Sequence, residues 1–157
     1  FKRVSPVIRA HDGFIVKFLG DGIMAVFPNG AEDAVRAGIE KLHQVSAYND
    51  KRQLDGRQSI QVGIGVHIGH MMVGMVGETA RMQGDAFSDN VNLTARLESL
   101  TKHYGVCFLI SGETLEKLPN PDHYHIRFLD KVAVKGKQKA IRIYEIFIPI
   151  NRYDNLL

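Results

Sequence analysis

The apolar positions of this chain follow two rhythms, and the places where the rhythm changes mark the elements. Residues 14–19 (Phe-Ile-Val-Lys-Phe-Leu) and 23–27 (Ile-Met-Ala-Val-Phe) are short apolar runs joined by Gly20-Asp21-Gly22. Asp-Gly between two such runs predicts a hairpin. Ahead of it, residues 3–11 read as the end of an amphipathic helix closed by Asp12-Gly13. Beyond Pro28-Asn29-Gly30, the spacing of Ala34, Ala37, Ile39, Leu42 and Val45 predicts a helix over about 31–49. Residues 50–59 are charged and turn-prone and read as a loop. Alternation returns over 60–69, predicting a strand, with 71–77 as the returning strand of a second hairpin. The glycines of that return suit close backbone approach to a ligand or another chain.

A third helix is predicted over about 88–104, opened by a Ser or Asp cap and stopped by Gly105. Leu93, Leu97 and Leu100 form its buried stripe. A buried strand (106–110), a short helix (111–118) and a break at Pro119-Asn120-Pro121-Asp122 follow. Two strands, 125–129 and 141–148, separated by the basic loop 135–139, close the chain. This order predicts an α+β fold, with helices packed on one face of a mainly antiparallel sheet.

Composition narrows the class. With 157 residues and 45% hydrophobic content, one domain over 1–157 with an ample core is expected. Lys plus Arg number 20 against 17 Asp plus Glu, an excess too small and scattered for a nucleic-acid tract. A single-stranded RNA binder would want aromatics on the central strands, where 63–77 offers glycine and methionine. The lone Cys107 excludes a disulfide scaffold or zinc cluster and favours a reducing, cytoplasmic setting. No run approaches the roughly 18 apolar residues of a membrane span.

Several polar residues carry candidate chemistry, each beside an ordinary explanation. Asn92 and Arg96 are four apart, so on a helix they lie one turn apart on one face. An amide and a guanidinium so placed can grip one anionic group, although such residues are also common on solvated faces. Asp21 at a hairpin tip can hold Mg²⁺ with phosphate oxygens, and is equally explained by turn conformation. Lys17 interrupts an apolar strand and must snorkel or meet a partner. Asp85 precedes the third helix, and Lys135, Lys137 and Lys139 form either a solvated loop or a clamp for a polyphosphate. The glycines at 63, 65 and 69 have the wrong spacing for a dinucleotide fingerprint, and no phosphate-loop motif occurs. The seven histidines, His67 and His70 among them, lack metalloprotease spacing, and no Ser-His-Asp arrangement is readable.

Taken together, Lys-Phe-Leu-Gly-Asp-Gly-Ile-Met-Ala-Val-Phe (17–27), Gly-Ile-Gly-Val-His-Ile-Gly (63–69), Asp-Asn-Val-Asn-Leu-Thr-Ala-Arg-Leu-Glu (89–98) and Val-Lys-Gly-Lys (134–137) resemble the catalytic domain of class III adenylate and guanylate cyclases. The resemblance implies a ferredoxin-like βαββαβ core with extra C-terminal strands, working as a head-to-tail homodimer with sites at the interface. It implies conversion of a nucleoside triphosphate to the 3′,5′-cyclic monophosphate and pyrophosphate, with two Mg²⁺ or Mn²⁺ ions per site. Position by position, Asp21 matches the second metal aspartate, and Lys17 with Asp85 the purine-reading pair. Asn92 matches the residue that orients the ribose, Arg96 the one at the α-phosphate, and Lys135 the contact to the terminal phosphates. A lysine and an aspartate suit the N1 and 6-amino group of adenine, so ATP is favoured over GTP. The expected protein is a bacterial-type adenylate cyclase; the alternatives are a guanylate cyclase and a catalytically silent cyclase-like signalling module.

The sequence departs from the family pattern in two places. The strand bearing the first metal aspartate, with its Phe-x-Asp-x-x-Gly-Phe-like motif, is missing ahead of Phe1, so an N-terminally shortened domain is expected. Ser88-Asp89 stands where the family has Gly-Asp. The resemblance implies regulatory sensor or membrane modules upstream in a parent chain as the expected partners.

Overall fold

The computed structural model describes residues 4–69, 78–134 and 139–149, with side chains for all of these except Leu19 and residues 78–88. Helix α1 (Val4–Ala10) buries Val7 and Ile8. It closes where expected, but the left-handed residue is Asp12 (φ 62°), not Gly13. The Gly13 N–H donates to the Ile8 carbonyl at 2.8 Å and the Asp12 N–H to that of Arg9 at 3.1 Å, the paired bonds of a Schellman end. Strands β1 (Phe14–Leu19) and β2 (Gly22–Val26) then form the expected antiparallel hairpin.

Helix α2 (Ala31–Leu54) runs five residues past its predicted end. Charge alone does not stop a helix, because Lys, Arg and Gln are good helix formers and cations are favoured in the last turn. The stop is Gly56 (φ 72°). There the Arg57 N–H reaches the Arg52 carbonyl at 2.8 Å and the Gly56 N–H that of Gln53 at 3.1 Å. Strand β3 is shorter than its alternation predicts, only Ile64–Val66. Ahead of it, the Asn49 side chain makes two bonds to the backbone of Ile60, at 2.7 and 2.8 Å. That segment is therefore tied to α2 by an amide side chain. The predicted return over 71–77 lies outside the described residues.

Helix α3 (Glu78–Tyr104) begins ten residues earlier than predicted. Residues 78–83 are mostly good helix formers, and one glycine at 84 costs a helix only about 1 kcal/mol. There follow β4 (Phe108–Ser111), α4 (Gly112–Glu116), a 3₁₀ turn (Pro121–His123), β5 (His125–Val132) and β6 (Ile141–Phe147). Among the described residues, the strands form the two-stranded hairpin β1-β2 and a four-stranded sheet ordered β3-β4-β6-β5. β3 and β4 are parallel, and the other pairs antiparallel. The α+β class with a mainly antiparallel sheet holds.

One expectation fails: α2 and α3 do not share a face of the sheet. Phe108 and Ile110 of β4 pack with Ala31, Val35 and Leu42 of α2. Leu109, between them, packs with Leu93, Leu97 and Leu100 of α3 and with Ile141 and Ile143 of β6. Successive side chains on a strand point to opposite faces. An unbroken apolar run such as Phe-Leu-Ile is therefore the mark of a strand covered on both sides.

Candidate active site

The predicted leucine stripe fixes the rotation of α3. Leu93, Leu97 and Leu100 are 1%, 0% and 5% exposed, so the flank carrying Asn92 and Arg96 faces solvent, with both residues exposed. The helix lies close on β3 because that strand carries glycine at the contact. A Cβ on Gly63 would run into the Thr101 hydroxyl, and one on Gly65 would stand 2.6 Å from the Glu98 amide nitrogen.

The hairpin presents the other pair. Leu19 is the register partner of Gly22, so the two turn residues are Gly20 and Asp21, not the Asp-Gly pair. Gly20 has φ 58°, the sign that a II′ hairpin requires at its first turn position. Asp21 is exposed at the tip. Lys17, paired with Met24, follows a register shift between Ile15 and Lys17 and is exposed. A bulge of this kind re-aims the side chains after it, which explains how a lysine escapes an otherwise apolar strand. The hairpin is anchored on α1, which is tied to α2 by His11 Nε2 and Glu40 Oε2, 2.6 Å apart.

The structure thus brings Asn92 together with Arg96 on one helix face, and Lys17 with Asp21 on one hairpin. Asp85 falls within α3 and not in a loop before it; its side chain lies outside the described set. Lys135 and Lys137 lie outside the described residues, as does His70. Among the described residues, no group of three or more His, Cys, Asp or Glu gathers into a metal cage. A single exposed carboxylate such as Asp21 nonetheless fits Mg²⁺, which is commonly held by one or two carboxylates plus phosphate oxygens and water.

Two arrangements escaped the sequence reading. At the end of α3, the Tyr104 hydroxyl donates to Asp130 Oδ2 of β5 at 2.6 Å. That bond raises the tyrosine pKa and lowers the aspartate's. The second centres on His67, directly after β3. Its Nδ1 lies 2.8 Å from Ser111 Oγ and its Nε2 3.2 Å from Asn90 Oδ1. Ser111 in turn lies 2.8 Å from Thr114 Oγ1. This is a Ser-His-Asn chain, but Ser111 is 0% exposed and caps α4 by accepting from the Thr114 N–H. It is no nucleophile. The signal available in sequence was a histidine in an alternating strand, with partners 23 and 44 residues away.

The α+β scaffold and its solvent-facing helix flank define the class of domain, and comparison with known proteins identifies the family. The chain belongs to the adenylate and guanylate cyclase catalytic domain family, whose profile matches residues 1–147. It is 41% identical over 140 residues to an adenylate cyclase of Anabaena cylindrica, covering 85% of this chain and 28% of that protein. It is 39% identical over 149 residues to the terminal-differentiation specific adenylate cyclase of Dictyostelium discoideum, covering 90% of this chain and 7% of that one. The crystal structure of an adenylate/guanylate cyclase/hydrolase from Silicibacter pomeroyi superposes with a TM-score of 0.73 at 25% identity, covering 94% of this chain and 79% of its own. No helix among the described residues is long and apolar enough to cross a membrane.

Proposed function

We propose that this chain is the catalytic domain of an adenylate cyclase, making 3′,5′-cyclic AMP and pyrophosphate from ATP in cyclic nucleotide signalling. The observation that carries the reading is the pairing of Asn92 and Arg96 on the solvent face of a helix whose opposite stripe is locked in the core. Preorganised donors on a rigid element are what a reaction that builds up charge at phosphorus needs. The names of the Anabaena and Dictyostelium relatives support the adenylate assignment.

In this reading Arg96 donates to the α-phosphate and Asn92 holds the ribose, so that the 3′-oxygen lies in line with the bond to pyrophosphate. The 3′-oxygen bonds to the α-phosphorus, its proton leaves, and the bond from that phosphorus to the bridging oxygen breaks. Lys17 donates to adenine N1 and Asp85 accepts from the 6-amino group; guanine offers the opposite pattern there. Lys135 contacts the terminal phosphates. Asp21 holds Mg²⁺ or Mn²⁺, which when bound supplies charge neutralisation of the triphosphate and acidifies the 3′-hydroxyl. The protein works as a homodimer, each site taking Asp21 from one protomer and Lys17, Asp85, Asn92, Arg96 and Lys135 from its partner. Sensor modules elsewhere in the parent protein regulate it.

The test is cyclic nucleotide production by the full gene product, with ATP and GTP supplied separately and Mn²⁺ present. Cyclic AMP from ATP is the expected result. Cyclic GMP alone would make the protein a guanylate cyclase. No product from either, with ATP still bound, would make it a signalling module.

A further inference from the structure

We infer that His67 is a positioning residue, clamping the Asn90 turn of α3 to the end of β3 and so setting where Asn92 is presented. The inference rests on the cyclase reading and deepens it by naming what holds the catalytic helix in place.

The hydrogen bonds form a chain of one polarity. The Ile68 N–H donates to Thr114 Oγ1 at 3.1 Å. The Thr114 hydroxyl then donates to Ser111 Oγ at 2.8 Å, a shorter path than its 3.4 Å alternative to the Val66 carbonyl. Ser111 donates to His67 Nδ1, and His67 Nε2–H donates to Asn90 Oδ1. In this direction every hydroxyl donates once and His67 Nε2 carries a proton.

The chain has a fixed base. Ser111 and Thr114 are both 0% exposed, and each also bonds backbone, at α4 and at residue 68. His67 therefore transmits the position of the sheet edge to Asn90. Asn90 is bound on its other side as well: its carbonyl accepts from the Thr94 hydroxyl at 2.7 Å. A second observation shows how closely the parts fit, since a Cβ on Gly69 would collide with the Asn90 side chain. Asn92 lies two residues along the same turn. Polar chains rooted in the core like this one specify one arrangement when fully satisfied, and they leave costly orphans when broken near their buried base.

Removing the imidazole should therefore displace Asn92. A small misplacement of a positioning group can cost on the order of 10²-fold in rate. In the full gene product, His67→Ala should lower kcat by about 10–100-fold while KM for ATP changes less than about threefold. Asn90→Leu should match it, and the double variant should fall no further than either single one, as expected for two residues acting through one contact. Asn90→Asp, which keeps the acceptor, should recover most of the rate. Amide hydrogen exchange gives a readout independent of turnover: it should quicken over residues 89–96 in His67→Ala and not over 100–104.

Additive losses in the double variant, or a kcat within twofold of the parent, would overturn the inference. Exchange rising equally along all of α3 would do the same, marking His67 as a general stabiliser. A parent protein without turnover, whose His67→Ala variant still loosens 89–96 alone, would support the clamp and sink the cyclase reading instead.

Discussion

Gly65 of β3 and Glu98 of α3 stand so close that a Cβ on the glycine would lie 2.6 Å from the Glu98 amide nitrogen and 2.7 Å from the Thr94 carbonyl oxygen. Both obstacles are helix backbone, which cannot rotate aside as a side chain can. The seating depth of the helix that carries Asn92 and Arg96 is thus set by a missing methyl group on the strand beneath it.

Gly65→Ala should accordingly destabilise the fold by about 1–3 kcal/mol, the usual range for overpacking. Urea unfolding of parent and variant measures it. A loss below about 0.5 kcal/mol would mean that α3 can lift off the strand at little cost.

Arg96→Ala should separate chemistry from folding. The side chain is exposed, so the unfolding midpoint should hardly move, because surface substitutions usually stay within about 0.5 kcal/mol. Turnover of ATP should fall by about 10²–10³-fold, or 2.7–4 kcal/mol, as when one preorganised donor is lost. Near-normal turnover would remove Arg96 from the site.

Lys17→Glu should strike substrate choice. It sets an acceptor against adenine N1, itself an acceptor, and one such mismatch costs about 1–3 kcal/mol. Competition between ATP and GTP should show kcat/KM for ATP falling by about 10–100-fold, with GTP falling less. Equal losses for both would place Lys17 away from the base.

The Tyr104–Asp130 bond predicts a pH signature. Asp130 has its pKa lowered chiefly by the Tyr104 hydroxyl, then by the Lys131 amide. Its contribution to stability is therefore present above the ordinary carboxylate value of about 3.9 and is lost as pH falls through the lower folded value. Tyr104 is raised, first by the same bond. Its contribution is present below the ordinary phenol value of about 10 and is lost as pH rises through the higher folded one. Urea midpoints of the parent should exceed those of Tyr104→Phe between these limits and converge with them at both extremes. A gap independent of pH would assign the effect to packing.

What the sequence revealed divides along physical lines. The leucine stripe at 93, 97 and 100 and the hairpin around Gly20 were legible because each rests on residues only a few positions apart. The end of α2 was not, because Gly56 outweighs the run of charge ahead of it. The length of β3 was not, because alternation records which faces are covered and not how far a ladder of hydrogen bonds runs. The His67–Asn90 contact depends on α3 lying on the end of β3, and no local pattern reports that. Of the candidate residues, Asn92, Arg96, Lys17 and Asp21 are exposed, as both their functional and their ordinary explanations require. Asp85 did not sit in the loop assigned to it.

The central position of β4 bears on how the molecule is made. Its partners are β3, some forty residues earlier, and β6, some thirty later. Its alternate side chains are the floor on which both long helices rest. Little that is local rewards this strand for forming early, and pairings of large sequence separation form slowly. On the ribosome, Phe108–Ser111 emerges after α2, β3 and α3 but before β6, the strand that pairs with its other edge, has been synthesised. One edge of this central strand therefore stays without its described partner until residues 141–147 arrive, and their arrival times the completion of the four-stranded sheet.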